Sequence, residues 1–62
     1  MAQTTKTPDT PVFFDVRRPG CAAWAERLTE REARDACAEA NMHAPGHRIV
    51  AVYRDGRTEW HA

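Results

Sequence analysis

The sequence has no apolar run approaching the roughly 18 residues of a transmembrane helix, and its amino terminus lacks the basic patch and apolar core of a signal peptide. It also lacks an excess of either charge, because nine Lys and Arg residues balance nine Asp and Glu residues. These absences predict a cytoplasmic protein with no membrane partner. They also exclude binding to DNA, RNA or an anionic bilayer through a global electrostatic field.

Cysteine is scarce, and Cys21 and Cys37 are too far apart in the chain for the paired knuckle of a structural zinc site. His43 and His47 follow Cys37 closely, but Cys37 falls where a helix needs a small buried residue. In a reducing compartment both cysteines are expected to be free thiols. We therefore predict no metal and no cofactor.

Motifs that carry catalysis are missing as well. The sequence contains no glycine-rich phosphate loop, no paired-carboxylate motif and no serine nucleophile elbow. Neither thiol has a neighbouring base of the kind that activates a nucleophile. In a chain of 62 residues, which can bury only a small core, these absences predict a protein that is not an enzyme.

What is present is the composition of a folded protein, with 42% hydrophobic and 29% charged residues. Residues 1–10 are polar and rich in threonine, with no periodic apolar position, and they predict a disordered tail. Residues 11–62 predict one α+β domain, because apolar periodicity begins there and continues to the end of the sequence.

Two apolar runs alternate with the period of a β-strand. Residues 12–18 read VFFDVRR and residues 47–54 read HRIVAVYR, and both runs are rich in β-branched and aromatic side chains. Pro19 and Gly20 predict a type II turn after the first run. Residues 21–28 then predict a second strand, although their alanine content also fits a helix.

A helix is predicted to begin at Thr29, because Thr29 and Glu32 have the spacing of a capping box. Its apolar stripe follows helical spacing and consists of small residues, Ala33, Ala36, Cys37 and Ala40. Small residues let a helix axis approach a sheet closely. Asn41 is predicted to adopt a left-handed cap, so the helix is expected to end near Asn41 or Met42.

Asp55 and Gly56 predict a two-residue type I′ turn that returns the chain as a last strand over residues 57–61. A loop of that length sets the register at 54 with 57 and 51 with 60. This register turns Trp60 toward the apolar side chains of the preceding strand. The core is therefore expected to be filled by four large side chains, Phe14, Ile49, Tyr53 and Trp60.

These elements predict a ββαββ domain in which one helix packs on one face of an antiparallel sheet, with βααββ as the alternative if residues 21–28 are helical. One helix cannot cover both faces of the sheet. The opposite face is expected to expose four apolar side chains as a partner-binding surface, Phe13, Trp24, Val50 and Val52. Such a surface suits a protein partner, and burying it between two copies would produce a homodimer.

Arginines flank both predicted turns. If the two turns lie at one end of the sheet, five arginines form a basic rim beside the stacking surface of Trp24, namely Arg17, Arg18, Arg48, Arg54 and Arg57. Neighbouring carboxylates offset part of this charge. A small nucleic-acid-binding protein that uses these turns is therefore the alternative functional hypothesis.

The leading hypothesis is a small non-catalytic protein-interaction module that works through its exposed sheet face. In its size and its lack of catalytic motifs, the chain resembles the short accessory proteins of phages and mobile elements, many of which bind and modulate one host protein. The resemblance involves no particular residue and implies no activity.

Overall fold

The computed structural model describes residues 10–61, so the predicted tail lies outside the described residues apart from Thr10. The elements are β1 (Phe13–Arg17), β2 (Ala25–Leu28), α1 (Glu30–His43), β3 (Arg48–Val52) and β4 (Thr58–His61). The four strands form one antiparallel sheet in the spatial order β2-β1-β3-β4. The predicted ββαββ architecture is confirmed. The βααββ alternative is wrong, because the segment before α1 ends in a strand.

The first hairpin turns at Pro19 and Gly20, as predicted. The Cys21 amide donates to the Arg18 carbonyl oxygen at 3.0 Å, and Gly20 has a φ of 82°. A type II turn requires a positive φ at this position, and glycine adopts it without a steric penalty. The returning strand is shorter than predicted, since regular pairing begins only at Ala25.

The capping box at the start of α1 forms as predicted. The Glu32 amide donates to the Thr29 hydroxyl oxygen at 3.1 Å, and the Thr29 amide donates to the Glu32 carboxylate at 2.8 Å. These bonds satisfy two amides that the first turn of a helix leaves without backbone partners. The carboxylates of Glu30 and Glu32 also lie at the positive end of the helix dipole.

The predicted left-handed cap at Asn41 is wrong. The helix continues to His43, and the Ala44 amide still donates to the Ala40 carbonyl oxygen at 2.9 Å. The Asn41 side chain bonds the main chain of His47 instead. Its Oδ1 accepts from the His47 amide at 2.7 Å, and its Nδ2 donates to the His47 carbonyl oxygen at 3.2 Å. From its helical position the carboxamide thereby fastens the loop that leads into β3.

The core lies between α1 and one face of the sheet. The two central strands contribute four buried side chains, Phe14, Val16, Ile49 and Ala51. Ala33 and Ala40 of the helix are fully buried against them, and Ala36 and Cys37 pack alongside. The prediction that small helix residues lie against larger strand residues is confirmed. The missing bulk on the helix is what allows its axis to come close.

The register predicted for the last hairpin is wrong by one residue. Val50 pairs with Trp60, and residues 54–56 form a three-residue loop in place of the predicted two-residue loop. The Gly56 amide donates to the Tyr53 carbonyl oxygen at 2.9 Å, and Gly56 has a φ of 89°. A turn that is followed by a left-handed glycine is a common three-residue connection between antiparallel strands.

The shifted register turns every side chain of β4 to the other face of the sheet. Trp60 lies on the face away from the helix and is 49% exposed, so its prediction as a core residue is wrong. His61 takes the helix side. Its ring lies 5.0 Å from the ring of Phe14, and its Nε2 lies 2.9 Å from the Glu30 carboxylate. Polar side chains therefore occupy the place predicted for Trp60.

Candidate interaction surface

The sheet face away from α1 carries the outward side chains of three strands, and we call it the open face. Its members alternate with the core residues along each strand and are Phe13, Asp15, Arg17, Arg48, Val50, Val52, Thr58 and Trp60. Within residues 10–61 no further element packs over this face. Apolar and charged side chains are mixed on it, in contrast to the apolar face beneath the helix.

Trp60 is the most exposed large apolar side chain of the open face. The guanidinium of Arg48 lies 4.5 Å from the centre of its ring, a distance at which a cation and an indole attract each other. Beside the ring, Val50 is only 5% exposed and forms the floor of a shallow groove of about 360 Å³. Residues of both neighbouring strands complete the lining of this groove, namely Arg17, Thr58, Glu59 and Trp60.

Phe13 and Val52 lie together at the other end of the open face, because the register of β1 and β3 pairs them directly. Both side chains are half-buried, and the guanidinium of Arg27 lies 5.8 Å from the centre of the Phe13 ring. The structure therefore brings three of the four predicted partner-binding residues together on one face. The third of them, Val50, is a buried floor residue rather than the exposed contact that was predicted.

Trp24, the fourth predicted residue, lies elsewhere. Its ring stacks on His43 and meets His47 edge-on, with centroid distances of 5.5 Å in both cases. These histidines are at the carboxyl end of α1 and in the loop that follows it. The alternation of β2 does not extend to Trp24, since the strand begins at Ala25. The prediction that Trp24 and Phe13 share a surface is therefore wrong.

Asp15 is the one buried charged residue among residues 10–61, and it is not one of the predicted site residues. Its Oδ1 accepts from the Arg27 amide at 3.0 Å, and its Oδ2 lies 3.5 Å from the Arg17 guanidinium. Arg27 has a φ of 60° at the irregular pairing of β1 with β2, a conformation that few residues with side chains adopt. The carboxylate holds this irregularity in place. An isolated acidic residue inside an apolar strand was the available signal.

The five arginines of the predicted basic rim do not form one rim. β1 and β3 are antiparallel and pair Arg17 with Arg48, so the turn after β1 and the turn after β3 lie at opposite ends of the sheet. Arg17, Arg18 and Arg48 belong to one end, whereas Arg54 and Arg57 belong to the other. The continuous basic track expected of a nucleic-acid interface is therefore split.

Acidic side chains also accompany two of these arginines. Arg17 lies 3.4 Å from the Glu26 carboxylate, and Arg57 lies 3.8 Å from that of Glu59. Exposed pairs of this kind contribute little to stability. They do reduce the positive potential that a phosphate backbone would meet at either end of the sheet.

Metal-binding side chains do not converge within residues 10–61, where no group of three such residues comes together. Cys21 and Cys37 are free thiols, as predicted. The Cys37 thiol donates to the His47 carbonyl oxygen at 3.4 Å. A hollow of about 240 Å³ beside the helix has a mixed lining of Cys37, His47, Arg48, Ile49 and His61. Within residues 10–61, the side chains that line this hollow do not form a set of ligands for a metal ion.

No protein-family model matches the chain, and no curated protein or solved structure is significantly similar to it. In the part of the chain that the structure describes, α1 is neither long enough nor apolar enough to cross a membrane.

Proposed function

We propose that this chain is a small non-catalytic protein-interaction module whose working surface is the open face. The observation that carries the proposal is the position of Trp60, which remains 49% exposed although the domain has few large side chains with which to fill its core. An exposed tryptophan on a regular strand is a typical anchor of protein interfaces, because it buries a large area while losing little conformational entropy.

The surroundings of Trp60 support this proposal. Arg48 lies over the indole ring, and the groove over Val50 offers an apolar depression next to it. Phe13 and Val52 continue the apolar surface toward the other end of the sheet. Aromatic residues and arginine are the residue types that protein interfaces favour, and a partner would displace water from the apolar side chains between them.

The buried carboxylate of Asp15 supports the proposal in a second way. The Arg27 amide donates to this carboxylate and so ties β2 to β1 at the open face, while Arg17 contacts the same carboxylate from within β1. A surface that is held rigid before the partner arrives loses less conformational entropy on binding. The open face is therefore organised by the fold itself.

A protein partner accounts for this surface better than a nucleic acid does. The arginines are divided between two ends of the sheet, and Arg17 and Arg57 have acidic neighbours. Binding to a phosphate backbone depends on several uncompensated cations that act together. The aliphatic side chains between the two ends would not contact a phosphate backbone, but a protein interface would bury them.

The experiment that tests the proposal is partner capture from a lysate of the organism that encodes the chain. We expect Val52→Asp to lose the captured protein, because a carboxylate in a dry interface is costly. The matched control is Met42→Asp, which introduces the same charge on α1 at a side chain that is 86% exposed. Equal capture by the wild type and both variants, at unchanged circular dichroism, would contradict the proposal.

A gel-shift titration against mixed single-stranded DNA and RNA tests the alternative on the same samples. We expect no binding at physiological salt. Salt-sensitive binding that disappears in a double Arg17→Ala, Arg48→Ala variant but survives Val52→Asp would favour the nucleic-acid hypothesis.

A further inference from the structure

The two edges of the sheet differ in how well they can accept another strand. The β2 edge is irregular, because Arg27 has a positive φ and the pairing with β1 shifts register between Phe14 and Val16. The β4 edge pairs without interruption along β3 and contains no proline or glycine. Bulges are a device by which proteins prevent an edge from pairing with another chain, and β4 lacks that device.

We propose that a second copy of this chain pairs antiparallel along β4, with Trp60 of one copy directly opposite Trp60 of the other. The resulting eight-stranded sheet would place the two open faces side by side. This inference extends beyond the proposed function, because it uses the edge of the sheet rather than its face.

The backbone of β4 has the alternation that this pairing needs. The Tyr53 amide donates to the Arg57 carbonyl oxygen at 2.9 Å, which marks those two residues as a hydrogen-bonded pair. Because such pairs alternate along an antiparallel ladder, Glu59 and His61 direct their backbone groups toward β3. Thr58 and Trp60 then direct theirs toward the edge, where a second β4 can bond them.

Symmetry and the length of β4 favour two registers, because pairing centred on either of its two middle residues gives the longest overlap. A two-fold axis perpendicular to the sheet keeps each face on its own side, and the two middle residues of β4 are Glu59 and Trp60. Centring on Glu59 places two carboxylates directly opposite each other, which is destabilising. Centring on Trp60 places each Glu59 opposite His61 of the other copy and pairs the two indole rings. Repulsion between the two Glu59 carboxylates therefore disfavours the first register, and we infer the one centred on Trp60.

The position of α1 leaves room for the second copy. The helix packs over β1, β2 and β3, and within the described range its backbone does not approach β4. The Glu30 side chain reaches across, and its carboxylate lies 2.9 Å from the Nε2 atom of His61. Two helices in an edge-paired dimer would thus be separated by both copies of β4.

Sedimentation equilibrium of the purified chain tests the pairing and its register together. We expect the wild type to dimerise and Glu59→Gln to weaken the dimer by roughly 2- to 30-fold, because two cross-strand contacts between the Glu59 carboxylate and His61 are lost. Glu39→Gln, on the exposed side of α1, is the matched control and should leave the dissociation constant unchanged. A protein that stays monomeric up to millimolar concentration would overturn the inference. So would a tighter dimer in Glu59→Gln, since only the register centred on Glu59 gains from removing that charge.

Circular dichroism can detect the pairing of the two Trp60 rings separately from any change in stability. Two indole rings held together by cross-strand pairing couple their transitions, and the resulting couplet is expected to grow with the dimer fraction. Trp60→Phe should remove it, whereas Trp24→Phe should retain it. A dimer without the couplet, or a couplet that survives Trp60→Phe, would overturn the proposed pairing.

The two proposals fail independently. Sedimentation uses the purified chain alone, so a monomer there excludes the edge pairing but leaves capture of a partner by the open face untouched. Loss of dimerisation in Val52→Asp with wild-type behaviour in Glu59→Gln would show that two copies meet through the face, which would overturn the edge pairing.

Discussion

The two faces of the sheet consist of alternate residues of the same strands, yet they are held by different forces. On the face beneath α1, Phe14 and Val16 pack against fully buried alanines, and stability comes from the exclusion of water. On the open face, Phe13 and Trp60 each lie near a guanidinium, and the buried residues are Val50 and the charged Asp15. One face stabilises the fold through apolar packing, whereas the other combines a polar network with partly exposed apolar side chains.

The largest difference in stability is expected between variants of the adjacent Phe13 and Phe14, which lie on opposite faces of the sheet. We expect Phe14→Ala to cost about 3–5 kcal/mol, because it opens a cavity in the core. Phe13→Ala should cost only about 1 kcal/mol, since that side chain is half-buried on the open face. Urea unfolding measures both. Equal losses would mean that the two faces contribute alike to the free energy of unfolding.

Asp15 tests whether the open face depends on its polar network. We expect Asp15→Asn to cost about 1–3 kcal/mol, because the buried position then loses the charge that faces Arg17 and weakens the acceptor for the Arg27 amide. Glu26→Gln, which removes an exposed carboxylate near the same arginine, is the control and should change stability little. Equal melting temperatures for the two variants would show that the buried Asp15 carboxylate contributes no more to stability than the exposed Glu26 carboxylate.

Two alanines of α1 test how closely the helix approaches the sheet face beneath it. We expect Ala40→Leu to cost about 1–3 kcal/mol through overpacking, because the residue is fully buried. Ala38→Leu, on the exposed side of the same helix, should be nearly neutral. In a domain of this size a loss of 1 kcal/mol lowers the melting temperature by about 4–8 °C. A well-tolerated Ala40→Leu would mean that the helix lies farther from the sheet.

The smallest expected effect on stability concerns the contact between β4 and α1, at the edge of the sheet face that the helix covers. The hydrogen bond from His61, followed by that from Arg34, holds the pKa of Glu30 below its ordinary value of 4.5. The folded state therefore binds this proton less readily than the unfolded chain does. The stabilising contribution is present above pH 4.5 and is lost as the pH falls through the folded pKa.

The variant Glu30→Gln should abolish this contribution, so its melting temperature should fall less steeply than that of the wild type as the pH drops below 4.5. Glu39→Gln, farther along the exposed side of α1, should retain the wild-type slope. Parallel curves for the wild type and Glu30→Gln would show that the contact with His61 contributes nothing.

Features that depend on neighbours in the chain were predictable. The capping box needs only Thr29 and Glu32, and the first turn needs only Pro19 and Gly20. The alanine stripe of α1 was predictable for the same reason, because helical spacing alone brings its members to one side. The prediction failed at Asn41, whose side chain finds its partner in His47 across a loop.

The candidate site was predictable only in part. Phe13 and Val52 follow from strand alternation, and the structure pairs them. Trp60 was missed because the segment around Asp55 and Gly56 is compatible with loops of two and of three residues, and one residue reverses the face of the entire strand. Local backbone propensity does not distinguish a two-residue from a three-residue loop here. The choice depends on how the whole hairpin packs against its neighbours.

The order of strands and helix, the start of α1 and the small residues on its buried side are determined by the sequence itself, through hydrogen bonds and periodicities that span a few residues. The tertiary structure decided which face carries Trp60, which end of the sheet each group of arginines occupies, and where Asp15 finds its partners. These outcomes depend on how β1 pairs with β2 and β3 and how β3 pairs with β4, contacts that join distant parts of the chain. A single residue of shift in any of them would exchange the buried and exposed sides of a strand.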